Sequence, residues 1–468
     1  MQVRFKSKRI RAGQLRVLAM LLSCLFLQLP AYAQGTQAQK TAEPIAAGFG
    51  DLKGHGGPVK ALSNSPDGQT ILSGSFDYSM MSWNVADPGN PSILKRITDN
   101  DGAINAVLAL PDGTHAVTGS DDGMVRLVNL GTGAIEHVFK AHQHKVVGLS
   151  LSSDGATLAS ASWDRTVRLW SIPEKRELHV LDGHRNTVNA VAFSNDGLSV
   201  FTTGTDGTIR KWQVATGSEE RVIYKHGWGI NVLAALPDGK SLAFGALNGT
   251  AAILDIETGE IKHELAQRER PILSLAVSSE HDVLAFGGGD GIVSVHDMRD
   301  WTPVTLLDNP YGPIWAMAFS GDGDALYLGG LDDTVHYWQF RPGRGFEPTL
   351  GTFPRRFQVS QDISLGERQF ARKCSVCHTL SPDDANRAGP TLWNVFGREA
   401  GTLPGYAYSK ALLESNLIWN ELTIGELFEK GPQHLLPGTK MPLQKMSNKQ
   451  ERDAMIAWLK DKTTPPAK

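Results

Sequence analysis

One spacing constrains this chain more than anything else in it. Asp-Gly pairs begin at Asp67, Asp112, Asp154, Asp196, Asp238 and Asp322, with Glu280-His281 in the slot where the pair is missing; after a first step of 45 residues the register is 42 throughout. A second column keeps the same register through Trp83, Val128, Trp170, Trp212, Leu254, His296 and Trp338, and six residues before each stands Asp77, Asp122, Asp164, Asp206, Asn248, Asp290 or Asp332. Self-similarity at a fixed period marks an array of supersecondary units, here seven. Each unit reads as a polar loop, an apolar or alternating run such as residues 188–193, a turn, a second run, an Asp and a third run. Short strands at this interval, separated by turn residues, describe the four-stranded blades of an all-β propeller. The 49 glycines, spaced rather than clustered, fit a fold with many tight turns.

The repeats resemble the WD40 family across residues 46–340. His55, His142, His184 and His226 lie 28 residues before the Trp column, as that family would have them. The resemblance implies a hydrogen-bonded chain of His, Ser, Asp and Trp, carried here by His55, Ser75, Asp77 and Trp83 and again by His142, Ser162, Asp164 and Trp170. A buried Asp is tolerable only when hydrogen-bonded, and imidazole and indole are suitable donors, so these histidines read as structural. Blades 2, 5, 6 and 7 depart from the pattern: Asn100, Arg268 and Pro310 replace the His, and Val128, Leu254 and His296 replace the Trp. Apolar packing is expected to hold those blades. The family further implies ring closure, with residues 45–52 supplying the outer strand of the last blade. The three extra residues of the first step, around Pro88-Gly-Asn-Pro91, predict a longer loop between blades 1 and 2.

The expected innermost strands, 59–65, 104–110, 146–152, 188–194, 230–236, 272–278 and 314–320, contain no His, Cys, Asp or Glu, so no ligand set for a second redox metal is expected over the channel. His137, His179 and His263 share one column, but on the outermost strands of different blades, and read as solvated rim residues. Trp163, Trp228, Tyr311 and Trp315 fall in or beside loops at blade ends. Exposed there, they would suit a protein contact; tucked into their own blades, they would not.

Beyond Arg341 the period stops, and residues 341–359, with Pro342, Gly343, Gly345, Pro348, Gly351 and Pro354, read as a semi-rigid linker. Helical spacing follows, over a second, small all-α domain at 360–468. Ser364-Leu-Gly-Glu367 is a capping-box pattern opening a helix toward Lys373; Ser447-Asn-Lys-Gln450 opens another, on which Met455, Trp458 and Leu459 form one apolar face. Between them lies Cys374-Ser-Val-Cys377-His378. Cys-x-x-Cys-His is the attachment pattern of a c-type haem. Two blander readings of the thiols are a small disulfide and a redox dithiol, the latter belonging in a βαβ context that is absent here.

The surrounding residues, Gly389-Pro390, Asn394 to Thr402, Pro404 to Ser409, Trp419 and Leu436-Pro-Gly-Thr-Lys-Met441, closely resemble class I cytochrome c of the mitochondrial and c2 type. That resemblance implies one haem c held covalently by Cys374 and Cys377, with His378 as proximal and Met441 as distal iron ligand. Met446 and Met455 are rival thioethers, but the first lacks the Pro-Gly-Thr-Lys lead-in and the second suits a helix core. Pro390 would orient His378 through its carbonyl, and Arg398, Tyr408 and Trp419 would hold the haem propionates. Phe428 stands where the family usually has a tyrosine near the Met. His/Met ligation closes both axial positions, which implies one-electron transfer rather than catalysis.

Residues 1–33 read as a secretory signal: six basic residues and no acidic ones, an apolar run over 17–29, and Ala31-Tyr32-Ala33 at the cleavage position. A lipid-attachment box at Leu21-Leu22-Ser23-Cys24 is a rival reading, against which the apolar run continues past Cys24. Cleavage would take the net charge from -3 to -9 and leave Cys374 and Cys377 as the only cysteines. No later segment reaches the roughly 20 apolar residues of a spanning helix. Residues 34–359 carry net charge -11 and residues 360–468 net +2, and Lys373, Lys440 and Lys445 flank the expected ligands, placed to steer an acidic partner to the haem edge.

The leading expectation is a periplasmic electron carrier whose propeller docks a redox protein such as a membrane respiratory complex or a periplasmic dehydrogenase. No nucleic acid is expected as a partner. The alternatives are an oxidoreductase whose propeller holds substrate or a second cofactor and feeds the haem, and a scaffold whose haem domain senses redox state.

Overall fold

A computed structural model describes residues 48–140, 142–341, 363–375, 377–382, 389–406, 408–439, 441 and 444–464. The expected signal segment, Cys24, nearly all of the linker and Lys440 lie outside the described residues. Among the described residues the strands form seven antiparallel four-stranded sheets, the blades of a propeller. Blade 1 runs through Val59–Asn64, Thr70–Ser75, Met80–Asn84 and Ser92–Ile97, and the later blades repeat it. The Asp-Gly turns work as their residues dictate. Gly68, Gly113, Gly155, Gly197, Gly239 and Gly323 all sit at positive φ, between 65° and 73°, where a residue without Cβ is unstrained. The Asp before each caps the turn; Asp67 Oδ1, for example, accepts from the Gln69 amide at 3.0 Å.

The ring closes through a short strand, Leu52–Lys53, which pairs antiparallel with Thr334–Gln339 in the register Leu52↔Val335 and Lys53↔Thr334. The long loop around Pro88-Gly-Asn-Pro91 lies inside blade 1, joining its third and fourth strands, and not between blades 1 and 2. The sequence repeat hides this because its period is measured from the Trp column, while the sheet continues past it by one strand. Blades are also tied to their neighbours by a periodic amide: Asn105, Asn189 and Asn231 donate to the carbonyls of Val146, Ile230 and Ile272 at 2.9–3.2 Å.

The buried networks are present in blades 1, 3 and 4, but with a different hydroxyl from the expected one. In blade 1 the His55 ring reaches Asp77 (3.1 Å) and Ser73 (2.7 Å), and the Trp83 indole donates to the same Ser73 at 2.7 Å. Ser160 and Thr202 take that place in blades 3 and 4, with His142, Asp164 and Trp170, and with His184, Asp206 and Trp212. Ser75 and Ser162 instead donate to the carbonyls of Gly57 and His144. The register explains the shift: Trp83 stands opposite Ile71, so its indole reaches the residue two positions on, Ser73, and falls short of Ser75 at the strand end.

Blades 2 and 6 replace the network with an arginine rather than with apolar packing alone. Arg126 pairs with Asp122 at 2.6 Å, and Arg268 bonds Ser294 at 2.8 Å and lies 3.6 Å from Asp290. In blade 7 His336 does this work, 2.6 Å from Asp332 and 3.5 Å from Asp51 beside the closing strand. Burial alone would lower its pKa, but the Asp332 and Asp51 carboxylates outweigh burial and hold it up at about 9. Blade 5 keeps one link, His226 to Asn248 at 3.1 Å.

Of the four rim aromatics, Trp163 and Trp228 are exposed, at 41% and 62%. Tyr311 stacks on His336 with ring centroids 3.9 Å apart, and Trp315 is half-buried between Phe76 and Lys60. His137, His179 and His263 lie on outermost strands of blades 2, 3 and 5.

The C-terminal part is helical: α1 (Leu365–Lys373), α2 (Lys410–Leu413), α3 (Glu421–Lys430), α4 (Pro432–Leu435) and α5 (Lys449–Thr463). Ser364 caps α1, accepting from the Glu367 amide. Asn448, rather than Ser447, caps α5, accepting from the amides of Gln450 and Glu451; either residue type can cap, and the carboxamide at 448 is the one aimed at the helix start. Helices α1 and α5 approach closely at Gly366, where a Cβ would stand 2.3 Å from the Ala454 carbonyl oxygen. Phe370, Ile424, Leu427, Phe428, Met446, Met455, Ile456 and Leu459 pack into one core around this crossing. Among the described residues no helix is long and apolar enough to cross a membrane.

Candidate haem site

The end of α1 delivers the cysteine pair. Cys374 is the C-cap of α1, its amide bonded to the Phe370 carbonyl at 2.8 Å. A tight turn follows, in which the amides of Cys377 and His378 both donate to the Cys374 carbonyl, at 3.0 and 2.9 Å. This turn brings both thiols and the imidazole to one wall of an apolar cavity. Neither cysteine is in a disulfide; Cys374 is buried and Cys377 half-buried.

His378 is fixed from behind. Its Nδ1 lies 2.7 Å from the Pro390 carbonyl oxygen; that oxygen can only accept, which sets Nδ1 as the protonated nitrogen and gives Nε2 the lone pair. Gly389 makes room for the ring, since a Cβ there would lie 2.3 Å from His378 Cε1. The tether is the arrangement a metal-binding imidazole needs for its orientation.

All eight residues singled out from the sequence line this one cavity: Cys374, Cys377, His378, Pro390, Arg398, Tyr408, Trp419 and Met441. Met446 and Met455 are not among the lining residues; both are buried in the helical core, and the Met446 amide donates to the Phe428 carbonyl at 2.7 Å. Arg398 is held by the carbonyls of Trp393 (3.1 Å) and Thr391 (2.8 Å). Burial lowers its pKa, the Tyr408 phenol opposing, and burial raises that of Tyr408. The Ser409 hydroxyl, also on the wall, is a buried polar atom without a hydrogen-bond partner. Leu392, Val395, Leu412, Leu427, Phe428 and Leu436 complete an apolar lining. Phe428 thus sits in the cavity where the resemblance led to a tyrosine.

These residues fit a haem c. The donor set offers two thiols one turn apart, one oriented imidazole and one thioether, and a guanidinium and a phenol stand where carboxylates would need donors. Exposed Lys445 and half-buried Lys373 flank the site, with Lys373 on its wall.

Sequence reasoning missed Tyr406 and, above all, Tyr78, which belongs to propeller blade 1 and lines the same cavity. Tyr78 stands in a repeat position that is glycine in four of the other blades.

The cytochrome c family model matches residues 363–462, a WD domain, G-beta repeat model matches residues 49–84, and a model described as the IFT122 first beta-propeller matches residues 103–348. Cytochrome c of Sesamum indicum is 39% identical over 102 residues, which are 22% of this chain and 91% of the relative. Cytochrome c of Chlamydomonas reinhardtii is 38% identical over 102 residues, covering 22% and 90%, and cytochrome c2 of Blastochloris viridis is 38% identical over 102 residues, covering 22% and 79%. Through residues 363–462 the chain belongs to the cytochrome c family, and through residues 103–348 to the IFT122 first beta-propeller family: it is an electron-transfer protein that carries covalently bound haem c behind a seven-bladed propeller.

Proposed function

We propose that this chain is a periplasmic carrier of single electrons, with His378 and Met441 as the iron ligands, Cys374 and Cys377 as the covalent anchors, and the propeller as the module that docks a redox protein. The observation that carries the reading is the convergence of both thiols, the Pro390-tethered imidazole and the Met441 thioether on one apolar cavity. When bound, the haem supplies one-electron exchange between ferrous and ferric iron, and ligands on both faces leave no position for substrate.

The protein's own part is positional. Pro390 holds the His378 tautomer, and the apolar walls exclude water. Arg398, Tyr408 and Trp419 offer donors to propionates. Docking by the propeller is supported by the exposed Trp163 and Trp228 and by the acidic balance of residues 34–359, opposite in sign to the haem domain. A tethered cytochrome would then meet the docked partner at high effective concentration. The periplasmic location rests on the reading of residues 1–33 as an export signal.

Optical and EPR spectra of the exported protein, oxidised and reduced, with an iron count and a Met441→Ala comparison, test the core of this. One iron per chain, a low-spin spectrum whose sulfur-to-iron band vanishes in the variant, and no response to carbon monoxide are expected. A high-spin component, carbon monoxide binding in the unaltered protein, or a second metal would sink the closed-carrier reading in favour of an oxidoreductase.

A further inference from the structure

In each blade the turn after the second strand places one residue directly behind the repeating Asp or Asn. In chain order these are Tyr78, Gly123, Arg165, Gly207, Gly249, Gly291 and Asp333. The position is left-handed: φ is +80° at Gly123, +72° at Gly207, +88° at Gly249 and +86° at Gly291. Tyr78 and Arg165 adopt it too, at φ +64° and +77°, and of these two Tyr78 is the one that reaches the haem cavity. A residue with a Cβ is strained there where glycine is not, and such strain persists where the surrounding structure holds the side chain in place.

What requires it is visible at the other end of the ring. Tyr78 lines the cavity that holds Cys374, Cys377, His378 and Met441. Burial, followed by the nearby Cys377 and Tyr406, holds its phenol well above the ordinary range. Tyr406, edge-on to Tyr408 at 4.7 Å, lines the same cavity from the helical domain, and burial, then Cys377, raises its phenol as well. Phe76 and Trp315, ring centroids 5.9 Å apart, continue the aromatic surface beside the turn.

We propose that Tyr78 is a haem-site residue supplied by the propeller, whose ring covers the thioether side of the haem and selects which electron partners reach it. The inference rests on the haem reading above. A small reductant reaches the covered edge around the ring. A protein, which must bring a broad surface against the haem, exchanges its electron only when the blade-1 turn yields or when the propeller itself presents the partner. One electron passes in that exchange, from a reduced donor to the oxidised chain, and no proton or bond is involved.

Tyr78→Gly is the informative variant, because glycine suits the left-handed turn and removes the ring without unfolding the blade; Tyr78→Phe keeps the ring. Both are made in the full-length, haem-loaded chain. Stopped-flow reduction is followed with ascorbate as the small donor and a reduced small soluble cytochrome c as the protein donor, and the midpoint potential is titrated. In Tyr78→Gly the protein-donor rate rises about fivefold or more while the ascorbate rate changes much less, and the potential falls as water reaches the haem. Tyr78→Phe behaves as the unaltered chain. Equal rates with both donors and an unchanged potential in Tyr78→Gly, with haem content intact, overturn the proposal and leave the haem assignment standing. A chain that carries no low-spin haem in the first place overturns both.

Discussion

The propeller and the helical domain solve the problem of a core in opposite ways. The blades fill their interiors with their own side chains and meet their buried carboxylates with protein groups, through an imidazole in blades 1, 3 and 4 and through arginine in blades 2 and 6. The helical domain packs a small core where α1 crosses α5 and devotes the rest of its apolar surface to a cavity lined by thiols, an imidazole and a thioether. One region is complete in protein atoms; the other is organised around a group that is not protein. Their stabilities should therefore respond to different insults.

The largest contrast is expected from Cys374→Ala combined with Cys377→Ala. Loss of the attached group leaves the apolar cavity of the helical domain empty, a loss of core packing worth more than about 4 kcal/mol, and should abolish its calorimetric transition and its helical circular dichroism. The propeller transition should stay within a degree or two of its original position; a parallel fall in both would show that the two regions do not fold independently.

A test inside the propeller comes next. His142→Ala leaves Asp164 buried without its imidazole, and Ser160 with one partner fewer, and is expected to cost about 3 kcal/mol. His226→Ala, where the ring meets the neutral Asn248 at 3.1 Å and the Tyr224 hydroxyl at 3.4 Å and no carboxylate is left unpaired, should cost about 1 kcal/mol or less. Equal costs in urea melts would mean that the buried network adds nothing beyond packing.

The third expectation concerns pH. His336 is charged in the folded protein up to about 9, above the ordinary imidazole range. Its contribution is then complete below pH ~6.5 and is lost as pH rises through 9, on the order of 3 kcal/mol from the propeller. The propeller transition should fall over that window, and His336→Gln should flatten the dependence. A mirror-image loss occurs in acid. Burial would raise the Asp77 carboxyl, but His55 and Arg96 overcome it and hold it at about 2, so its contribution is present above pH ~4 and fades as pH falls toward 2. The smallest effect belongs to Trp228→Ala, at a 62% exposed site, which should move stability by less than about 0.5 kcal/mol; a larger change would place the indole in the fold rather than on a docking surface.

Much of this molecule could be read in its residues, for a physical reason that differs between its parts. Periodicity exposes the blades because the same local demands, an Asx-capped turn, a buried Asp and a strand, recur every 42 residues. The haem motif is legible because covalent attachment leaves little freedom in spacing. What escaped were contacts made across distance. Ser73 in place of Ser75 depends on cross-strand register, and Arg126 in place of a histidine on which side chain can reach the buried carboxylate. Tyr78 was half legible: its column is otherwise glycine in four of the seven blades, so the anomaly could be seen, but its purpose could not without the cavity it faces.

The pairing of Leu52 with Val335 has a consequence for biogenesis. The seventh sheet is built from both extremes of the repeat array, so that blade can be completed only after the whole array has been made. Closing so long a loop slows folding more than it weakens the product. Until then six blades wait with an open edge, and a nick that removed the first strand would leave that edge unpaired and prone to join another chain, whereas a cut after Gln339 would leave the ring latched.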